Sequence, residues 1–327
     1  MEGLTLVIPA TKTATLPQCL AAVRAAADGP DELIVVDAPR EDGPAAARNT
    51  GARRARNPLV AFLDADVLVH PDAFTRMRAA FAADPGLTAV FGSYDDAPAD
   101  PGVVSGFRNL LHHAVHQAGA GPATTFWSGL GAVRREAFTA AGGYDADRYL
   151  VPSIEDVELG MLLIDAGGRI VLDPELQGTH LKRWTLRSML RTDFRARAVP
   201  WLGLLLRRRR GSTALNLGWQ HRASALASVT VAGGVLARAP RAACAGLGVL
   251  VALNHPLYRI LLRRRGPAQA VAGVGLHLLH HLTSVAAVPF AVVAHRREAE
   301  RVGRVPAEPV LVRVARPEHE ASPRLAA

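Results

Sequence analysis

Asp64 and Asp66, one residue apart, end the apolar run Leu59-Val60-Ala61-Phe62-Leu63. An apolar run bounded by charge is the pattern of a buried parallel strand. Two carboxylates at its C-terminal end reach into the crevice where open α/β sheets bind ligands. Hard oxygen donors suit Mg2+ or Mn2+, which bind through one or two carboxylates together with a substrate's phosphates. The pair therefore points to a metal-chelated diphosphate, and it equally fits a solvated turn at a strand end. A second acidic cluster, Glu155, Asp156 and Glu158, follows Pro152-Ser153 at the predicted start of a helix. Acid there complements the helix dipole whether or not it does chemistry.

The elements that must position these groups are legible around them. Leu4-Thr5-Leu6-Val7-Ile8-Pro9 reads as a strand stopped by proline, and Glu32-Leu33-Ile34-Val35-Val36-Asp37 as a second. Residues 16–27 are rich in Ala and Leu, as a crossover helix requires, and 43–56 reads as another helix before the strand 59–63. The order β-α-β-α-β predicts a doubly wound, mostly parallel sheet. Asp37 ends a strand where a base or ribose is read, although Asp before Ala-Pro also starts turns.

In this order, Leu6-Val7-Ile8-Pro9, Val35-Val36-Asp37, Ala47-Arg48-Asn49-Thr50-Gly51 and Phe62-Leu63-Asp64-Ala65-Asp66 resemble family-2 glycosyltransferases. Ser128-Gly129, Gly142-Gly143-Tyr144-Asp145 and Ile154-Glu155-Asp156-Val157-Glu158-Leu159 continue the resemblance over roughly residues 4–200. It implies the GT-A nucleotide-diphospho-sugar fold and a nucleotide-sugar donor held by Pro9, Asp37, Arg48, Asp64 and Asp66. Asp37 would contact the nucleoside and Arg48 the base or diphosphate. Asp66, with Asp64, would ligate the cofactor, Mg2+ or Mn2+. Asn49 either contacts ligand or braces its helix. Asp156, beside Glu155, becomes the general base for an acceptor hydroxyl, and attack opposite the diphosphate would invert the anomeric carbon. Ala38-Pro39 follow Asp37 where many relatives carry a second acidic residue, which leaves the nucleotide unassigned.

Thr179-His180-Leu181-Lys182-Arg183-Trp184 resembles the end of the Q-x-x-R-W element of membrane-bound synthases, with His180 at the offset of the Gln. Lys182 and Arg183 suit a diphosphate, and Trp184 a sugar or lipid acceptor. A basic amphipathic helix on the membrane is the competing reading. The incomplete pattern supports no processive polymerase.

The composition then shifts. Of 327 residues 49% are hydrophobic but only 5% aromatic, and the formal charge is +9. Residues 223–237, 242–253 and 267–294 contain no Asp, Glu, Lys or Arg, with Arg238 and Arg241 flanking Pro240. The first two are short against the ~20 residues of a span, whereas the third fits one. Arginines cluster beside these segments at 207–210, 263–265 and 296–297, which suits a cytoplasmic membrane face and anionic headgroups. No nucleic-acid motif accompanies them. Residues 254–262 read as an interfacial amphipathic helix roofing the acceptor site.

The expected organisation is a catalytic domain over 1–205, a basic juxtamembrane linker over 206–222, two or three transmembrane or interfacial helices over 223–295, and a mobile polar tail over 296–327. His112, His113 and His116, like His277, His280 and His281, read first as packing residues, and Asp95-Asp96 as a loop. Cys19 and Cys244 fall in different modules, so no disulfide is expected. No basic, then apolar, N-terminal stretch suggests a signal peptide. The resulting expectation is a multi-pass cytoplasmic-membrane enzyme with a cytoplasmic catalytic domain. It would move a sugar to a lipid-linked or membrane-delivered acceptor. A non-catalytic sugar-nucleotide-binding or scaffold subunit is the alternative.

Overall fold

The computed structural model describes residues 2–10, 14–37, 43–209 and 218–304. It begins with β1 (Leu4–Pro9), α1 (Leu16–Ala25), β2 (Glu32–Val36), α2 (Gly43–Arg54), β3 (Leu59–Leu63) and β4 (Val67–Val69). There follow α3 (Ala73–Ala83), β5 (Ala89–Tyr94), α4 (Val103–Ala118), β6 (Gly121–Ala123), β7 (Leu130–Arg134) and α5 (Arg135–Ala140). Next come α6 (Glu155–Asp165), β8 (Ile170–His180), α7 (Leu186–Arg191), a π-helical segment Thr192–Ala198, and α8 (Val199–Arg208). The chain closes with α9 (Trp219–Leu236), α10 (Pro240–Leu253), α11 (His255–Arg265) and α12 (Pro267–Arg304).

β1, pairing parallel with both β2 and β3, is buried along its whole length, as is β3. That is why both strands read as continuous apolar runs: each is covered on two faces. The second half of the sheet is mixed, with β7 antiparallel to β3 and β5, β8 parallel to β5, and β4 antiparallel to β8. One core layer holds Val7, Phe62, Phe91, Phe126 and Leu159, and the other Leu6, Ile8, Phe74 and Met77. α2 packs unusually close to β1, because a Cβ on Gly51 would meet Val7 Cγ1 at 2.2 Å. A side chain there would push the helix, and Arg48 with it, off the sheet.

The C-terminal helices are not a separate body. A third core joins Phe107 and Leu110 of α4 with Trp184, with Leu257, Tyr258 and Leu261 of α11, and with Leu276 of α12. Arg264 of α11 pairs with Asp96 at 2.6 Å, and Arg265 Nη2 donates to the Asp100 carbonyl at 3.0 Å. Asp193 in the π-helical segment bridges Arg108 of α4 (3.1 Å) and His280 of α12 (2.8 Å). α9 and α10 form an antiparallel hairpin sealed by small and polar residues. Ser224, Ser228, Gly234 and Gly246 are buried there, and Asn254 Nδ2 donates to Ser224 Oγ at 2.8 Å.

Several boundaries move. Position 205 falls inside α8, residues 210–217 of the expected linker lie outside the described residues, and α12 carries helix through to Arg304. The tail from 305 onward also lies outside them. Among the described residues one helix, over Pro267–Arg297, is long and apolar enough to cross a membrane, against the two or three spans that composition suggests. α10 and α11 pass that test only jointly, and they are bent by 75°. Residues 181–185 form an irregular connection before α7, so Lys182 and Arg183 lie on no amphipathic helix.

Candidate active site

Asp64 and Asp66 flank the turn between β3 and β4. The Asp64 N–H donates to the Gly129 carbonyl at 3.1 Å, and the Leu181 N–H to the Asp66 carbonyl at 2.9 Å, so neighbouring strands fix both residues. Glu155 and Asp156 open α6. That helix seats deeply because Gly160 lies against the main chain of Thr125 and Phe126, where a Cβ would come within 2.2 Å of the Phe126 nitrogen.

The segment Trp127-Ser128-Gly129, entering β7, joins the two acidic groups. Gly129 receives Asp64, while Ser128 donates from its N–H (3.2 Å) and Oγ (3.4 Å) to Asp156 Oδ2. The Val157 N–H donates to Asp156 Oδ1 at 2.9 Å. Burial pushes the Asp156 carboxyl up to about 7, with Glu155 adding to the rise and Arg48 and these N–H donors opposing it. A carboxylate poised there takes a proton efficiently near neutral pH.

Arg48 binds the site together from beneath. Its Nη2 donates to Asp64 Oδ1 at 2.7 Å and its Nη1 to Glu155 Oε1 at 2.9 Å, with its side chain 5% exposed. Its guanidinium also lies 5.7 Å from the centre of the Tyr144 ring. Glu155 in turn accepts from the Ser153 N–H at 2.8 Å. Burial raises the Asp64 carboxyl, Arg48 pulls it down, and Asp66 and Glu155 raise it further.

Two neighbouring carboxylates, of which Asp66 helps raise Asp64, that remain partly open at 31% (Asp64) and 19% (Asp66) side-chain exposure fit a divalent cation. His180 adds to that fit: its Nε2 lies 3.7 Å from Asp66 Oδ2, and Asn109 Oδ1 fixes its Nδ1 at 2.7 Å. Among the described residues no group of three or more His, Cys, Asp or Glu side chains is arranged to hold a metal ion. A cation held by this pair would have to complete its coordination with other ligands, such as the oxygens of a bound phosphate.

The remaining predicted residues divide. Pro9 ends β1 beside Val36, and Asp37 lies exposed just past the end of β2. Ala38 and Pro39 are outside the described residues. Asn49 is a brace, giving Nδ2 to the Tyr144 carbonyl (2.8 Å) and accepting the Tyr144 N–H at Oδ1 (2.9 Å). Asn49→Ala strands both main-chain groups, and it should cost about 2 kcal/mol in urea unfolding. Trp184 is buried, with Lys182 Nζ 3.8 Å and Arg108 Cζ 5.1 Å from its ring centre. It packs the α4–α11 core, while Arg183 is exposed and reaches Asp100 at 4.0 Å. Asp95 is no free loop residue: it is buried and bonded to His70 and Thr179.

Sequence reasoning missed His180 as a neighbour of Asp66. Its only sequence signal was a departure from the Gln of a motif; the β4–β8 pairing of Val67 with His180 brings it there. Cys19, whose Sγ donates to the Asp64 carbonyl at 3.8 Å, is no nucleophile, since burial, then Asp64 and Asp66, push its thiol up to about 12.

The glycosyl transferase family 2 model matches residues 18–141, which carry Arg48, Asp64, Asp66 and Ser128. Over those residues, which are less than half of its length, the chain is similar to glycosyl transferase family 2. Two curated relatives, the pre-mycofactocin glycosyltransferases of Mycobacterium tuberculosis strains CDC 1551 / Oshkosh and ATCC 25618 / H37Rv, are each 30% identical over 171 residues. The match covers 49% of this chain, which spans about a third (34%) of either relative's length. Among solved structures, mannosyltransferase PcManGT from Pyrobaculum calidifontis, in complex with GDP-Man and Mn2+, superposes with a TM-score of 0.52 at 17% identity. The superposition covers 88% of this chain and 87% of that one, and the fold they share is GT-A.

Proposed function

We propose that this chain transfers a sugar from a nucleotide-sugar donor to an acceptor hydroxyl delivered at a membrane, with inversion. The observation that carries the reading is the Ser128-Gly129 link, which sets the Asp64 main chain and the Asp156 carboxylate on one three-residue segment. Donor diphosphate and acceptor hydroxyl need such facing groups, one anion-holding through a cation and one proton-accepting. The relatives' names and the Mn2+ and GDP-Man of the mannosyltransferase support the donor class.

In this reading Asp66, with Asp64, holds a divalent cation, which when bound offsets the charge developing on the leaving diphosphate. Arg48 serves the donor through Asp64, whose carboxylate it orients. Asp37 meets the nucleoside at the end of β2. Asp156 takes the acceptor proton, and a single displacement from its side inverts the anomeric centre. Lys182 and Arg183 neutralise diphosphate charge.

Membrane delivery is supported by α12, whose outer positions Val271, Ala272, Leu279, Ala286, Phe290 and Val293 are all exposed and apolar. Only 28% of its most apolar stretch is buried inside the protein. α9 and α10 add exposed Leu226, Val235, Leu236 and Val249. Apolar surface on this scale matches lipid rather than water. The catalytic half then faces the cytoplasm, the side the arginine clusters favour.

The test is a donor screen on detergent-solubilised protein with Mn2+ or EDTA, following nucleoside diphosphate release with and without a total lipid extract. Metal-dependent release that rises with lipid is expected. Release indifferent to lipid would remove the membrane acceptor, and no release from any donor would leave a binding subunit. Asp66→Ala should abolish metal-dependent donor binding in titration calorimetry while the thermal transition persists. Unchanged binding would move the cation elsewhere.

A further inference from the structure

α8 has two apolar faces with different neighbours. Trp201 and Leu204 face inward and share the core of Tyr149, Ile154 and Val157, beneath the start of α6. Leu202 and Leu206, with Leu205 that also reaches that core, line a groove of about 440 Å3 against Val288, Ala291 and Val292 of α12. That volume is within the roughly 300–1,000 Å3 of small-molecule sites. Arg209 is the one charged residue in its lining. The neighbouring Arg208 is paired with Asp165.

The groove lies on the membrane-directed face of the molecule. Phe290 and Val293, one helical position from its lining residues, are exposed members of the apolar α12 stripe. Arg296 and Arg297, just beyond Val292 in the same helix, are exposed as well. An apolar slot that continues such a stripe and carries cations suits an amphiphile with a long chain and an anionic head. The acceptor is a poor match, because α8 itself, through Trp201 and Leu204, stands between the groove and the helix bearing Asp156.

We propose that the groove between α8 and α12 holds the hydrocarbon chain of an anionic bilayer phospholipid, its headgroup against Arg209. The site rests on the membrane-contact part of the proposed function and not on transferase chemistry. A lipid seated there packs the outer side of the helix that braces α6.

The test uses the full chain with phosphatidylcholine vesicles containing phosphatidylglycerol and a trace of phosphatidylglycerol bearing a diazirine in its acyl chain. After flotation and irradiation, labelled peptides are mapped. Labelling is expected to concentrate on 202–206 and 288–292, and to fall severalfold in Ala291→Trp, which fills the groove. Arg209→Ala should lose the preference for phosphatidylglycerol over a phosphatidylcholine probe. Labelling no denser there than on Val271 and Leu279, or unchanged in both Ala291→Trp and the milder Leu205→Phe, would overturn the site. Competition of the label by a lipid that is also glycosylated, at the same concentration, would reassign it to the acceptor. Failure to float at all would instead overturn the membrane reading.

Discussion

Asp156→Asn should lower turnover by about 10²–10⁴-fold, the usual worth of a positioned general base, with little change in donor binding. The side chain keeps its shape, and its single oxygen keeps the Ser128 donors at the expense of the Val157 N–H bond, so the link between the two segments is spared. In the wild type, kcat/KM should rise about tenfold per pH unit up to about 7 and then flatten, because only the carboxylate accepts a proton. The sign of the stability effect is opposite. A carboxyl whose folded pKa is raised by burial binds protons more tightly folded than unfolded. Its contribution is therefore lost as pH rises through about 7. Asp156→Asn removes that charge and should be at least as stable as wild type at pH 8, by thermal unfolding. An inactive yet sturdier variant is the signature of a base kept under electrostatic strain. A loss below tenfold would point to a phosphate acceptor, which needs little help from a base.

What could be read from sequence follows the range of the interactions. β1 and β3 were legible because burial on both faces leaves a local apolar run, and Asp64-Ala-Asp66 ends β3. β2 was legible from its apolar, β-branched run although Leu33 and Val35 are exposed. The small residues of α2 were legible as helix, but not their reason, the contact of Gly51 with Val7. Ser128 belonged to the family pattern, yet its two bonds to Asp156 depend on a loop meeting a helix 28 positions later. His180 depends on the antiparallel pairing of β8 with β4, which no local pattern encodes. Trp184 marks the opposite failure: a tryptophan beside Lys and Arg has the same composition on a membrane surface or buried under α4 and α11. Tertiary packing chose the second. The C-terminal apolar segments were legible in composition, whereas the seating of α11 and α12 on the catalytic half required the Asp193 bridge and the Arg264–Asp96 pair.

Arg48→Met should be the most destabilising single change at the site, by about 3–5 kcal/mol at neutral pH, since it leaves two carboxylates facing a buried apolar chain. Urea unfolding measures it. The deficit should shrink toward acid: without Arg48 the folded-state pKa of Asp64, already raised, rises further, and stability is then lost as pH increases through it. Adding Glu155→Gln removes one stranded charge, so the double variant should be less unstable than the sum of the singles. A cost of Arg48→Met below about 0.5 kcal/mol, the range of ordinary surface changes, would mean the arginine is not a strut. The double variant also separates two jobs for the same guanidinium. If Arg48 touches the donor directly, restoring stability leaves metal-dependent donor binding lost. If it acts by holding Asp64, binding returns in part as the fold is restored, because the ligand-bearing carboxylates are still present. The two forks already engaged by Asp64 and Glu155 favour the second result.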